Sequence, residues 1–120
     1  MAMGNSPAAL ILAMQDKLKL DDKQVQKLQQ MDTDFRTKQI DRRATIEKKM
    51  IQVHQALSKD ATAQEVKPMI DDISKDYADA VVAWIDAKQK AMEVLNEDQR
   101  TMVRQAYGMQ HGPMRSRSNG

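Results

Sequence analysis

The sequence predicts an all-α protein: a four-helix hooked hairpin with two long antiparallel helices. Three observations carry this expectation. A five-residue helix start occurs twice, as Leu20-Asp21-Asp22-Lys23-Gln24 and as Leu95-Asn96-Glu97-Asp98-Gln99. Between the two copies run two apolar stripes at helical spacing, separated by one short polar turn. Only 4 Gly and 3 Pro interrupt 120 residues rich in Lys, Gln, Asp, Ala and Met, so little in the chain opposes helix.

Each element has its own signal. Ser6 followed by Pro7 is an N-cap and a proline at the first helical position, which predicts a short helix over about Pro7–Lys19 with Leu10, Met14 and Leu18 as its stripe. Asp21 caps the first long helix, expected from about Asp22 to Leu57. The side chain of Gln24, three residues on, returns to the cap as in a capping box, and Leu20 staples against Val25. Ser58-Lys59-Asp60-Ala61 is the hairpin tip, and Thr62-Ala63-Gln64-Glu65 is a further capping box. Pro68 predicts a kink or an interrupted first turn, because it lacks an N–H and crowds the carbonyl four residues back. Asn96 caps a last helix over about Glu97–Tyr107, ended by Gly108.

The stripes set a register. Val25, Leu28, Met31, Phe35, Ile46, Met50, Val53 and Leu57 line the first long helix. Val66, Ile70, Ile73, Tyr77, Ala80, Val81, Trp84, Ala91 and Leu95 line the second. Phe35, Ile46 and Leu57 are eleven apart, as are Ile73, Trp84 and Leu95, a period that keeps helices nearly straight. Pairing Leu57 with Val66 places Met50 near Ile73, Ile46 near Tyr77 and Leu28 near Leu95. Mid-hairpin the match fails: Arg36, Lys38, Arg42 and Arg43 face Val81, Trp84 and Ile85. Three units follow: residues 1–19 as an N-terminal segment and short helix, 20–107 as the hairpin with its last helix, and 108–120 as a disordered tail.

Bulk properties exclude several classes. A net charge of +2 argues for neither nucleic acid nor acidic lipid. Without cysteine there is no disulfide and no thiolate site. The apolar run at 8–14 is too short to cross a membrane and has no basic stretch before it, so the chain reads as mature or trimmed. Phe35, Tyr77, Trp84 and Tyr107 are the only aromatic side chains, and ten Met share the packing. So thin a core in so long a hairpin predicts a homodimer.

The capped Leu-x-x-x-Gln pair at the two ends of a helical hairpin resembles the LTxxQ motif of the CpxP and Spy periplasmic proteins. The family-motif positions are Leu20, Asp21, Gln24, Leu95, Asn96 and Gln99, with Asp21 and Asn96 in place of the usual Thr. The run Asp41-Arg42-Arg43-Ala44-Thr45-Ile46-Glu47, and its spacing to Leu95, is more similar to the heavy-metal resistor branch, which includes ZraP and CnrX. The likeness covers about Lys19 to Tyr107. It implies a cradle-like dimer, a periplasmic address, no enzymatic activity, and either unfolded clients or a sensor partner on the concave face or a bound transition metal. The His-rich N-terminal metal motif of metal-binding members is missing here.

Candidate chemistry is sparse. His54 and His111 are the only histidines. Met109, His111 and Met114 in the tail offer two thioethers and an imidazole, a set suited to Cu, Zn or Ni, so a transition metal ion is the one cofactor for which ligands exist. His54, with Met50 four residues before it but no second His, is a further candidate metal ligand, against which stands the reading of an ordinary exposed polar residue. No nucleophile, paired His or phosphate loop supports an enzyme. Arg36, Lys38, Arg42, Arg43, Trp84 and Ile85 form the candidate client or dimer surface, with Arg42 or Arg43 over the indole. The sequence therefore predicts a non-enzymatic chaperone-like binder of unfolded proteins or of a periplasmic sensor, with a metal sensor or buffer and a purely structural helical dimer as the alternatives.

Overall fold

The computed structural model describes residues 5–107, and among them every regular element is helical. The order is α1 Pro7–Leu12, α2 Gln15–Leu18, α3 Asp22–Ser58 and α4 Ala63–Glu93, followed by α5 at 97–107. The two long helices pack against each other as a hairpin, with α1 lying across both.

The ends of the helices follow the sequence closely. Asp21 and Thr62 each accept the N3 backbone N–H while Gln24 and Glu65 accept from the cap backbone, so both capping boxes are complete. The same reciprocal pair joins Asn96 and Gln99 at 2.9 and 3.0 Å. At the tip, Ala61 N–H bonds to Ala56 C=O and Asp60 N–H to Leu57 C=O, a Schellman closure with Asp60 left-handed at φ 64°. Lys19 closes α2 in the same way at φ 54°.

Two local expectations are corrected. The single helix over Pro7–Lys19 is two helices, because Met14 leaves the helical region (φ −100°, ψ 17°) and its N–H turns to Ile11, three residues back. Packing decides the pattern here: Ala8, Ile11 and Leu18 are buried, whereas Leu10 and Met14 are half-buried. Pro68 does not interrupt α4. Pro68 and Gln64 are both exposed, so the carbonyl that loses its partner faces water. The tail at 108–120, with Gly108, lies outside the described residues.

The core is lopsided. Ala8, Ile11, Leu18, Leu28, Ala91, Leu95 and Val103 form one buried cluster where the five helices meet. Leu28 is wholly enclosed, so cutting it to Ala would cost about 2–5 kcal/mol. Toward the tip only Val53, Val66 and Ile73 are buried. Lys49 fixes the register between the two regions: its Nζ lies 2.7 Å from Asp72 and 2.6 Å from Asp76 across the hairpin. That agrees with Met50 standing opposite Ile73. The described molecule is thin, 58 × 43 × 17 Å, with a radius of gyration of 19.1 Å. A compact domain of this length has a radius of about 13–14 Å.

Candidate functional site

Both helix starts end in a glutamine whose side chain does more than cap. Gln24 Nε2 also donates to Val94 C=O at 3.1 Å, and Gln99 Nε2 donates to Leu18 C=O at 3.0 Å. Gln99 is buried and Gln24 half-buried. Gln24 and Gln99 thus serve as a junction that aligns α2, α3, α4 and α5. Leu20 and Leu95 pack into the same cluster.

The N-terminal segment rests on one face of the hairpin beside this junction. Ser6, buried, caps α1 through Ala9 N–H at 2.9 Å and donates its hydroxyl to Asp32 at 2.6 Å. On the other long helix, Trp84 Nε1 donates to Asn5 C=O at 3.1 Å. Trp84 is therefore half-buried with an intrachain partner, where the sequence suggested none. Asp32 and Gln39 are two turns apart, as are Tyr77 and Trp84, so the same face continues past the N-terminal segment into a groove. This groove has a volume of about 400 Å³ and is lined by Phe35, Gln39, Arg42, Arg43, Ile46, Tyr77, Ala80 and Val81.

The six candidate surface residues do not converge. Arg42 and Arg43 border this groove. Lys38 lines a different one with Asp34, Asp86 and Lys90, which Arg42 also reaches. Arg36 is exposed and pairs with Asp32 at 3.5 Å. Ile85 belongs to a third groove, near α5, with Met92 and Arg100. Neither arginine covers the indole; the cation–π contact is Lys88 over Tyr107 at 5.2 Å, and burial pushes the Tyr107 hydroxyl pKa up. Tyr77 and Val81, read from the sequence as inward stripe, are 56% and 42% exposed. They, with Phe35 and Ile46, are not among the six residues the sequence suggests for the surface, although Val81 stands opposite the arginines in the expected register. Their spacing opposite Arg42 and Arg43 was the available signal.

Charges elsewhere are largely structural. Asp72 and Asp76 hold the Lys49 ammonium pKa above its usual value through hydrogen bonds. Thr62 holds the Glu65 carboxyl below its usual range by donating from both backbone and hydroxyl. His54 is exposed near the tip, and its backbone carbonyl accepts from Ser58. Met109, His111 and Met114 lie outside the described residues. Among the described residues no three His, Cys, Asp or Glu side chains converge as a metal site. None of the described helices is long and apolar enough to cross a membrane.

The fold and junction define a helical-hairpin protein with an open apolar groove. No protein-family model, no curated protein and no solved structure matches the chain.

Proposed function

We propose that this chain is a non-enzymatic binding protein of the CpxP/Spy and heavy-metal resistor type, which holds unfolded clients or a sensor partner against its grooved face, as a homodimer in the periplasm. The observation that carries the reading is the strip Tyr77, Val81 and Ile85 on α4. These three stand at successive four-residue steps and are 56%, 42% and 48% exposed. Exposed apolar side chains so aligned mark a place where a partner binds. Arg42 and Arg43 beside the strip supply attraction for acidic segments, effective within about 10 Å at 0.1 M salt. The resemblance of the capped Leu-x-x-x-Gln pair supports the family and the address.

The test combines sedimentation with an assay of client aggregation, on wild type and on Val81→Ser with Ile85→Ser. Both positions are exposed, so the helical content should stay constant. The proposal expects weaker dimerisation or weaker protection of the client. Unchanged self-association together with unchanged protection would overturn it.

A further inference from the structure

We propose that the groove between α3 and α4 binds a long-chain carboxylate, its head group on Arg42 and Arg43 and its acyl chain running from there toward Phe35. The inference goes beyond the client reading: the occupant is a small amphiphile, not a protein.

Charge is the first argument. Arg36, Lys49, Lys67, Lys90, Arg100 and Arg104 all pair with carboxylates. Arg42 and Arg43 line the groove, and among the described residues neither makes an ion pair or hydrogen bond. A guanidinium group offers forked donors that suit a carboxylate better than an ammonium would. No carboxylate lines this groove; Arg42 also borders the neighbouring one, where Asp41, Asp76 and Asp79 lie, whereas Arg43 borders this groove alone.

The second argument concerns shape. A volume of about 400 Å³ falls in the range of small-molecule sites, about 300–1,000 Å³. From Phe35 to Ile46 the α3 wall runs roughly 16 Å at ~1.5 Å per residue, an elongated trough.

The third argument selects the ligand. Both walls lie deep inside long helices, where backbone N–H and C=O groups are already engaged with one another. An extended peptide laid there would gain no backbone hydrogen bonds from these walls and would be held through its side chains alone. An acyl chain needs none, and from a head group on Arg42 and Arg43 it would run along α3 toward Phe35, roughly 10–12 Å at ~1.5 Å per residue.

Calorimetric titration of the full chain with dodecanoate, below its micellar concentration, tests the proposal, with fluorescence of Trp84, the only tryptophan, as a second readout. Saturable binding is expected, with dodecanol binding far more weakly. Arg42→Gln with Arg43→Gln should weaken dodecanoate binding by roughly tenfold or more, as befits loss of a charge-assisted contact, at unchanged helical content. Equal binding of dodecanol and dodecanoate would overturn the proposal, as would wild-type affinity in the double variant. Capture of an acidic amphipathic helix without dodecanoate binding would also overturn it, and would leave the client reading standing. Dodecanoate binding without any client protection or self-association would support it and remove that reading alone.

Discussion

Gln24 and Gln99, 75 residues apart, exchange side-chain hydrogen bonds: Gln24 Nε2 donates to Gln99 Oε1 at 2.8 Å, and Gln99 Nε2 donates to Gln24 Oε1 at 3.2 Å. Each oxygen simultaneously accepts the cap N–H of its own helix, from Asp21 and from Asn96, both at 3.0 Å. Two capping boxes are thereby fused into one network, and every polar atom of either amide has a partner. Replacing buried Gln99 with Ala strands Leu18 C=O, Asn96 N–H and half of Gln24. The expected loss is about 2–3 kcal/mol, above the ~1–2 kcal/mol expected for half-buried Gln24→Ala. The double variant should lose less than the sum, because both singles break the same bonds. Urea denaturation of the three variants measures this; strict additivity would mean the amides act independently.

The caps themselves carry a separate cost. Asp21→Ala removes the acceptor of Gln24 N–H at 2.8 Å, and Asn96→Ala that of Gln99 N–H at 2.9 Å. Each should destabilise by about 0.5–2 kcal/mol, checked by thermal denaturation. Asn96→Ala should be the larger, since its helix start lies against the buried Gln99.

Lys19 and Asp60 sit in left-handed conformations that a side chain disfavours. Lys19→Gly and Asp60→Gly should each leave the helix ends intact. A gain of about 0.5–1 kcal/mol is expected from relieving the left-handed cost, partly offset by the freedom glycine adds to the unfolded chain. A loss of stability in both variants would show that the turns are held by these side chains rather than tolerating them.

Acid should loosen the tip through Glu65. Its folded pKa lies below the ordinary 4.5. The stabilisation it provides is therefore fully present above 4.5 and disappears as pH falls through the lower folded value. Glu65→Gln keeps an acceptor for Thr62 N–H but does not titrate. Its stability should fall less steeply than wild type in acid, measured by denaturant midpoints on either side of 4.5.

Ser6 secures the N-terminal segment. Ser6→Ala removes both the cap of α1 and the Asp32 contact, for an expected loss of about 1–3 kcal/mol. Because Asn5 receives the indole N–H of Trp84, freeing this segment should also shift tryptophan emission to longer wavelength. Unaltered emission in a destabilised Ser6→Ala variant would separate the cap from the docking.

The helix starts were legible because capping is local: Asp21, Thr62 and Asn96 need only the residue three places on. The register was legible from the paired stripes, and Lys49 with Asp72 and Asp76 now fixes it. Burial was not. The eleven-residue spacing treats Ile73, Trp84 and Leu95 alike, yet Ile73 and Leu95 are buried and Trp84 is half-buried. Cover depends on what lies across each level of the hairpin, and periodicity carries no such information. The contact between Trp84 and Asn5 uses a backbone carbonyl, which any residue provides, so no residue type could announce it. The groove was legible in part, from Arg42 and Arg43 set against Val81; Tyr77 was not, because it belongs to a stripe that elsewhere faces inward.

The lopsided core has a kinetic consequence. Around the tip, partners such as Ala56 and Ala61 are near neighbours in sequence, whereas Gln99 meets Leu18 across 81 residues. Closing the long loop costs more chain entropy than closing the tip, so the hairpin should zip from Asp60 outward and fasten Gln24 to Gln99 last. Substitutions at those glutamines should then accelerate unfolding while leaving the folding rate nearly unchanged, and folding slowed in proportion to the lost stability would refute this order. The part that assembles first is the part with the fewest buried side chains, so the history of the fold and its hierarchy of stability run in opposite directions.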